Sequence, residues 1–260
     1  MTLTERPPST TERVAQVLMC FAADQQWLGV SDIARRLGLG KSVVHRILQT
    51  FVECGLVSYN STQRLYGLGP SAFALGRRAH INNDVRAAGM PAAAHLAAIT
   101  GETAILSARM GHERVYVGQI ESAQAIRITV KLGQSVPLAA GANGNSMLAF
   151  MSESDIDLAL QVPLPQYTAN TVVDPEEIRA RLAVIRQRGW ASTSGERIPM
   201  SMSIAAPIFD ASSVPVGALS VGVLETRDVG RSHEDLAVLV VAAAKQASAA
   251  LQKLQTGADS

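Results

Sequence analysis

The chain has 260 residues, 23 Lys and Arg against 22 Asp and Glu, 47% hydrophobic content and only 17% charged residues. That length suits one large or two ordinary domains, and the apolar share excludes a mostly disordered chain. Two cysteines exclude a secreted disulfide framework, MTLTERPPSTTER lacks the apolar run of a signal peptide, and residues 236–244 form an apolar stretch about half as long as a membrane span.

A soluble, cytoplasmic protein with no membrane partner is expected. The near-zero net charge conceals a division. Residues 1–80 hold nine Lys/Arg and five Asp/Glu, a net of +4, and the remainder carries a net of −3. A small basic domain joined to a larger acidic one suggests a nucleic-acid binder with a second module.

In chain order, residues 1–8 read as a mobile tail. Ser9-Thr10-Thr11-Glu12 is a capping box, and Val14, Val17, Leu18 and Phe21 then recur at i, i+3, i+4 and i+7, one buried helical stripe. Ser31 is the expected cap of a second, short helix, SDIARRLG, with Ile33, Ala34 and Leu37 inward. Gly38-Leu39-Gly40 breaks the chain. A third helix, KSVVHRILQTFVECG, has Val44, Ile47, Leu48 and Phe51 on its inward stripe and ends at Gly55. Ser42, His45, Arg46 and Gln49 fall on its opposite face, with Lys41 in the first turn. The pair of helices has helix-turn-helix spacing, and two strands, LVSYN and RLYGL, follow as a hairpin. That hairpin is the wing of a winged helix-turn-helix, with Arg64 near its tip.

Beyond Pro70, SAFALGRRAHINNDVRAAG predicts a helical connector broken around Asn82-Asn83, and MPAAAHLAAITGE a helix starting at its proline. TAILSARM, RVYVGQIE, IRITVKL, MSIAAPIFD and VGALSVGVL alternate as strands do. NGNSMLAFM, SESDIDLAL, DPEEIRARLAVIRQRG and HEDLAVLVVAAAKQASAALQKL are helical, and Asp174-Pro175-Glu176-Glu177 is a capped helix start. Strands and helices come in blocks, which favours α+β with an antiparallel sheet.

Chemistry-bearing residues are few. Cys20 and Cys54 lack CxxC spacing and read as buried or half-buried helix residues. The histidines (His45, His80, His95, His112, His233) lack ligand spacing, so neither a metal nor another cofactor is expected. Met200 and Met202 read as core filling. No GxSxG elbow or HExxH helix occurs, and no enzymatic activity is predicted.

The stretches GLGKSVVHRILQTFVECGLV, RLYGLGPSAFALG, PAAAHLAAITGETAIL, GQSVPLAAGANGNSMLAF, TVVDPEEIRARLAVIRQRGWA and IAAPIFDASSVPVGALSVGV together resemble an IclR-type transcriptional regulator, in one order over nearly the whole chain. The resemblance implies an N-terminal winged helix-turn-helix (1–70), a linker helix (71–84) and a GAF-like effector-binding domain (85–260) around an antiparallel sheet flanked by helices. It implies a homodimer, or a dimer of dimers, on a palindromic double-stranded DNA operator. Lys41, Arg46 and Arg64 are then phosphate contacts, and Ser42, His45 and Gln49 contact base edges. Arg46 pairing with guanine and His45 merely edging the polar face remain open alternatives.

The resemblance further implies an effector site at the loop Ala140-Gly141-Ala142-Asn143-Gly144, where amides at a helix start hold a carboxylate. Ala142, Asn143, Gly144, Thr193, Ser203, Ser220 and Gly222 are the implied contacts. Asn143 and Asn145 stand where a small residue and a lysine are usual, Thr193 where an acid occurs and Gly222 where a serine occurs. A pocket with fewer polar groups and less bulk is therefore expected, suited to a carboxylic or aromatic acid larger than a two- or three-carbon keto acid. A repressor is preferred over an activator. The rival readings are a GAF-like small-molecule enzyme and a dimerisation module without ligand response.

Overall fold

The computed structural model describes residues 9–22, 27–81, 84–227 and 229–257. The expected mobile tail (1–8) and the expected break at Asn82-Asn83 lie outside them. The chain divides into two compact units, Met1–Asn82 and Asn83–Ser260.

In the first unit, α1 (Thr10–Met19) begins at Ser9, whose hydroxyl accepts from the Glu12 amide at 3.2 Å to close the expected capping box. A 3-10 turn, Cys20–Ala22, follows, then α2 (Val30–Leu37) and α3 (Lys41–Glu53). Ser31 does not cap α2. Backbone pairing of Leu28 with Tyr66 keeps the chain extended as far as Gly29, whose carbonyl takes the amides of Asp32 and Ile33, so Ser31 already lies inside the helix. At the other end Gly38 adopts φ +63°, a left-handed conformation that lets the chain reverse into α3. Strands β1 (Val57–Asn60) and β2 (Leu65–Leu68) pair antiparallel, and α4 (Pro70–Ile81) follows. Val17, Phe21, Leu28, Ile33, Val44, Ile47, Leu48, Phe51, Val57 and Tyr66 form one core. Cys54 is exposed rather than buried, because it lies just past the last turn of α3.

The second unit opens with α5 (Asp84–Thr100), which runs through Pro91 instead of starting there. A proline inside a helix removes one amide donor and crowds the carbonyl four residues back. Here the buried face of small residues, Ala88, Gly89, Ala92 and Ala93, packs closely enough to hold the helix in place. Next come β3 (Thr103–Met110), β4 (Glu113–Ile120), β5 (Ser135–Pro137), α6 (Gly141–Leu148), α7 (Glu153–Gln161), α8 (Pro175–Arg188), β6 (Ala191–Ser194), β7 (Ser201–Phe209), β8 (Pro215–Leu224) and α9 (His233–Gly257). The six strands form one antiparallel sheet in the order β5-β4-β3-β8-β7-β6.

Period-two alternation divides this sheet between two cores. Leu106, Ile204, Ala206, Leu219 and Val221 face α5 and α9. Ala205 and Ala218 face the other way, towards Leu138, Met147 and Leu148 of the α6 region and Ile178, Leu182 and Ile185 of α8. The α6 contact is so close that a Cβ at Gly144 would stand 2.1 Å from the Leu138 carbonyl oxygen, so only glycine fits there. IRITVKL is not a strand. Its alternation comes from Ile128 and Val130 packing into a core beside Ile105 and Tyr116, while the Val130 amide bonds the Gln119 side chain at 3.0 Å instead of a ladder. Met202 is core, but Met200 is exposed, at φ +54°.

Replacing Gly38 by Ala puts a Cβ on a left-handed residue and is expected to destabilise the N-terminal unit by about 1–2 kcal/mol, read as a lowered denaturant midpoint of its unfolding transition.

Candidate functional site

Two features of the fold can meet other molecules. The first is α3. Val44, Ile47, Leu48 and Phe51 are buried, while Lys41, Ser42, His45, Arg46 and Gln49 are all exposed, so one polar, cationic stripe runs along the outer side of the helix. Among the described residues Lys41, Arg46 and Arg64 form no ion pair, whereas Arg35 on α2 pairs with Asp32. Gly40 precedes α3 without a side-chain cap, leaving the Lys41 and Ser42 amides open while its carbonyl takes the Val43 and Val44 amides. Arg46 also edges a groove against α1 that is shared with Arg13, a cation the sequence reading passed over. Arg64 is exposed at the hairpin turn with φ +56°.

The second feature is a pocket of about 40 Å³ in the C-terminal unit, bounded by the start of α6 and the sheet face beneath it. Ala142, Asn143, Thr193, Ser203 and Gly222 line it. The ladder register sets Thr193 opposite Ser203 and Ser203 opposite Gly222, so three of these come from one row across β6, β7 and β8. Ser220 and Gly144 lie behind that lining. Ser220 Oγ accepts from Asn143 Nδ2 at 2.7 Å and orients the amide, and Gly144 serves the close approach to Leu138. Asn143 is 4% exposed, and its Oδ1 has no hydrogen-bond partner among the described residues.

Two arginines outside the anticipated set also enter the pocket. Arg114, from β4, is 1% exposed; its Nη2 donates to the Ala140 carbonyl at 3.3 Å, and its Nε and Nη1 have no partner among the described residues. Arg197, from the β6–β7 connection, likewise has buried Nε and Nη1 without partners. Both guanidinium groups lie by the Tyr116 ring, at 4.8 Å and 5.8 Å from its centre, and Arg197 is 4.5 Å from that of Tyr167. These ring faces give partial compensation. Burial lowers the pKa of Arg114, the neighbouring charge of Arg197 adds to that, and Tyr116 opposes it.

Glu196 also lines the pocket, but Arg181 holds its Oε1 at 2.5 Å. Burial pushes its carboxyl pKa up, and Arg181 pulls it back. The pocket therefore brings two guanidinium groups with unpartnered buried nitrogens next to a helix N-terminus whose capping residue, Ala140, supplies no side-chain hydrogen bond. The available signal for Arg114 was parity: it shares the inward face of RVYVGQIE with Tyr116. Arg197 sits in a loop and carried no such signal.

The model of the IclR helix-turn-helix domain matches residues 10–61, and that of the bacterial transcriptional regulator IclR C-terminal domain matches residues 78–249. The chain belongs to the IclR family of bacterial transcriptional regulators. It is 32% identical over 195 residues to the regulator BhcR of Paracoccus denitrificans, covering 75% of this chain and 70% of that one. It is 30% identical over 193 residues to the repressor AllR of Escherichia coli, covering 74% and 71%. The fold matches an IclR regulator from Alicyclobacillus acidocaldarius with a TM-score of 0.81 at 30% identity, over 95% of this chain and 98% of that one. It also matches an IclR homologue from Microbacterium hydrocarbonoxydans, solved with 4-hydroxybenzoate, with a TM-score of 0.78 at 24% identity, over 94% and 99%. No helix among the described residues is long and apolar enough to cross a membrane, and no group of three His, Cys, Asp or Glu among them could hold a metal.

Ser220→Ala leaves the buried Asn143 Nδ2 without its acceptor and is expected to cost about 1–3 kcal/mol of stability. In a double-mutant cycle by chemical denaturation, Asn143→Ala with Ser220→Ala should cost less than the sum of the single changes.

Proposed function

We propose that this IclR-family regulator is a cytoplasmic, non-enzymatic repressor that binds a palindromic operator as a homodimer and responds to an organic acid. The observation that carries the DNA part is the exposure of the polar stripe on α3, whose apolar stripe is committed to the core. Placed in a major groove, that stripe presents Ser42, His45 and Gln49 to base edges and Lys41 and Arg46 to phosphates. Arg64 on the hairpin turn serves the neighbouring backbone. Two-fold symmetry then calls for half-sites about 34 Å apart.

The acid is supported by the C-terminal pocket. Free amides at the start of α6, around Gly141, Ala142 and Asn143 with Gly144 behind them, favour an anion. Arg114 and Arg197 supply cationic donors, and Thr193, Ser203 and Gly222 form the opposite wall with Ser220 behind Asn143. An acid controls operator binding only through its different affinities for the DNA-binding and released states, commonly about 1–3 kcal/mol of coupling.

In a gel shift with DNA from upstream of the protein's own gene, Arg46→Ala should weaken binding uniformly across sequences as a phosphate contact, or by about 1–3 kcal/mol with relaxed specificity at one position if it reads guanine. Unchanged affinity would overturn the placement of α3. Arg64→Gly relieves a left-handed side-chain conformation while removing a cation. Operator affinity should fall while thermal stability holds or rises by about 1 kcal/mol; unaltered affinity would remove Arg64 from the interface.

A further inference from the structure

We infer that the ligand of the C-terminal pocket is a dicarboxylate, with one carboxylate taken by Arg114 at the start of α6 and the other by Arg197. The inference rests on the acid-binding reading above and goes beyond it in specifying the ligand's charge and shape. Its basis is the set of unpartnered donors. Glu196 is the pocket's only carboxylate among the described residues; Arg181 holds it, and it pairs with neither Arg114 nor Arg197, whose Nε and Nη1 are buried without partners.

Burying even one unpaired charge is expensive, and partial contact with a tyrosine ring does not replace a counter-ion. A monocarboxylate satisfies one set of buried donors and leaves the other unpaired. A dicarboxylate satisfies both. The two groups are also close together. A carbon added at Gly141 would be 3.2 Å from Arg197 Cγ and 3.7 Å from Arg114 Nη2, so both side chains flank the first residue of α6.

The lining also includes Ile105, Ile128 and Ile198, which suits a hydrocarbon spacer rather than a compact polyanion. The unpartnered Asn143 Oδ1 can accept from a hydroxyl on that spacer.

The experiment compares matched acids on the purified full chain by calorimetry and thermal shift: butyrate with succinate, benzoate with phthalate, and inorganic phosphate. Each diacid should bind at least tenfold more tightly than its monoacid. Arg197→Met should reduce that advantage to less than threefold while monoacid binding persists. Arg114 also supports the Ala140 carbonyl, so Arg114→Met could misfold, and the Arg197 variant carries the test. Mono- and diacids of equal affinity in the unaltered chain would overturn the dicarboxylate assignment and leave the acid pocket standing. Phosphate binding as tightly as the diacids would likewise overturn it, in favour of a compact dianion. Failure of every acid to bind would overturn the acid pocket itself.

Discussion

Everything proposed for the N-terminal unit depends on one division of labour within a thirteen-residue helix. Val44, Ile47, Leu48 and Phe51 are buried in the small core made with α1, α2 and the hairpin, and this fixes the rotation of α3 about its axis. With that rotation set, Lys41, Ser42, His45, Arg46 and Gln49 have nowhere to go but outward. A helix rolled by one residue, about 100°, would bury polar groups without partners, at a cost of about 1–3 kcal/mol each. The core therefore orients the stripe without touching DNA.

The C-terminal unit works by the opposite logic. Its sheet buries apolar side chains against α5 and α9 on one face, and on the other leaves room for charges that the protein does not itself neutralise. Such a site trades stability for recognition. Arg114 and Arg197 borrow ring faces from Tyr116 and Tyr167 and, for Arg114, one carbonyl, and their buried Nε and Nη1 have no partner among the described residues.

Much of this was legible in the residues. Helix periodicity located α1, α3, α8 and α9, and the capping signatures at Ser9 and Asp174 were read correctly because their bonds are local. The cap at Ser31 and the helix start at Pro91 were misread for one shared reason: tertiary contacts, the Leu28–Tyr66 pairing and the packing of the α5 face, prevailed over local preference. IRITVKL alternates because one side of it faces a core, and alternation alone does not tell such a segment from a strand. Family register singled out Thr193, Ser203 and Gly222, and the sheet brings them into one cross-strand row. Arg114 and Arg197 are not legible in the sequence, because an arginine in a strand or loop is ordinarily solvated, and only the fold buries Arg114 and the Nε and Nη1 of Arg197.

The central claim is that the outward stripe of α3 lies against the charged backbone of a duplex, and salt titration of DNA affinity tests it most directly. For the unaltered protein, log K should fall linearly with log[salt], and Lys41→Ala should reduce that slope by about 0.9, the share of one released counter-ion. A flat dependence, or a slope that Lys41→Ala leaves untouched, would contradict the account.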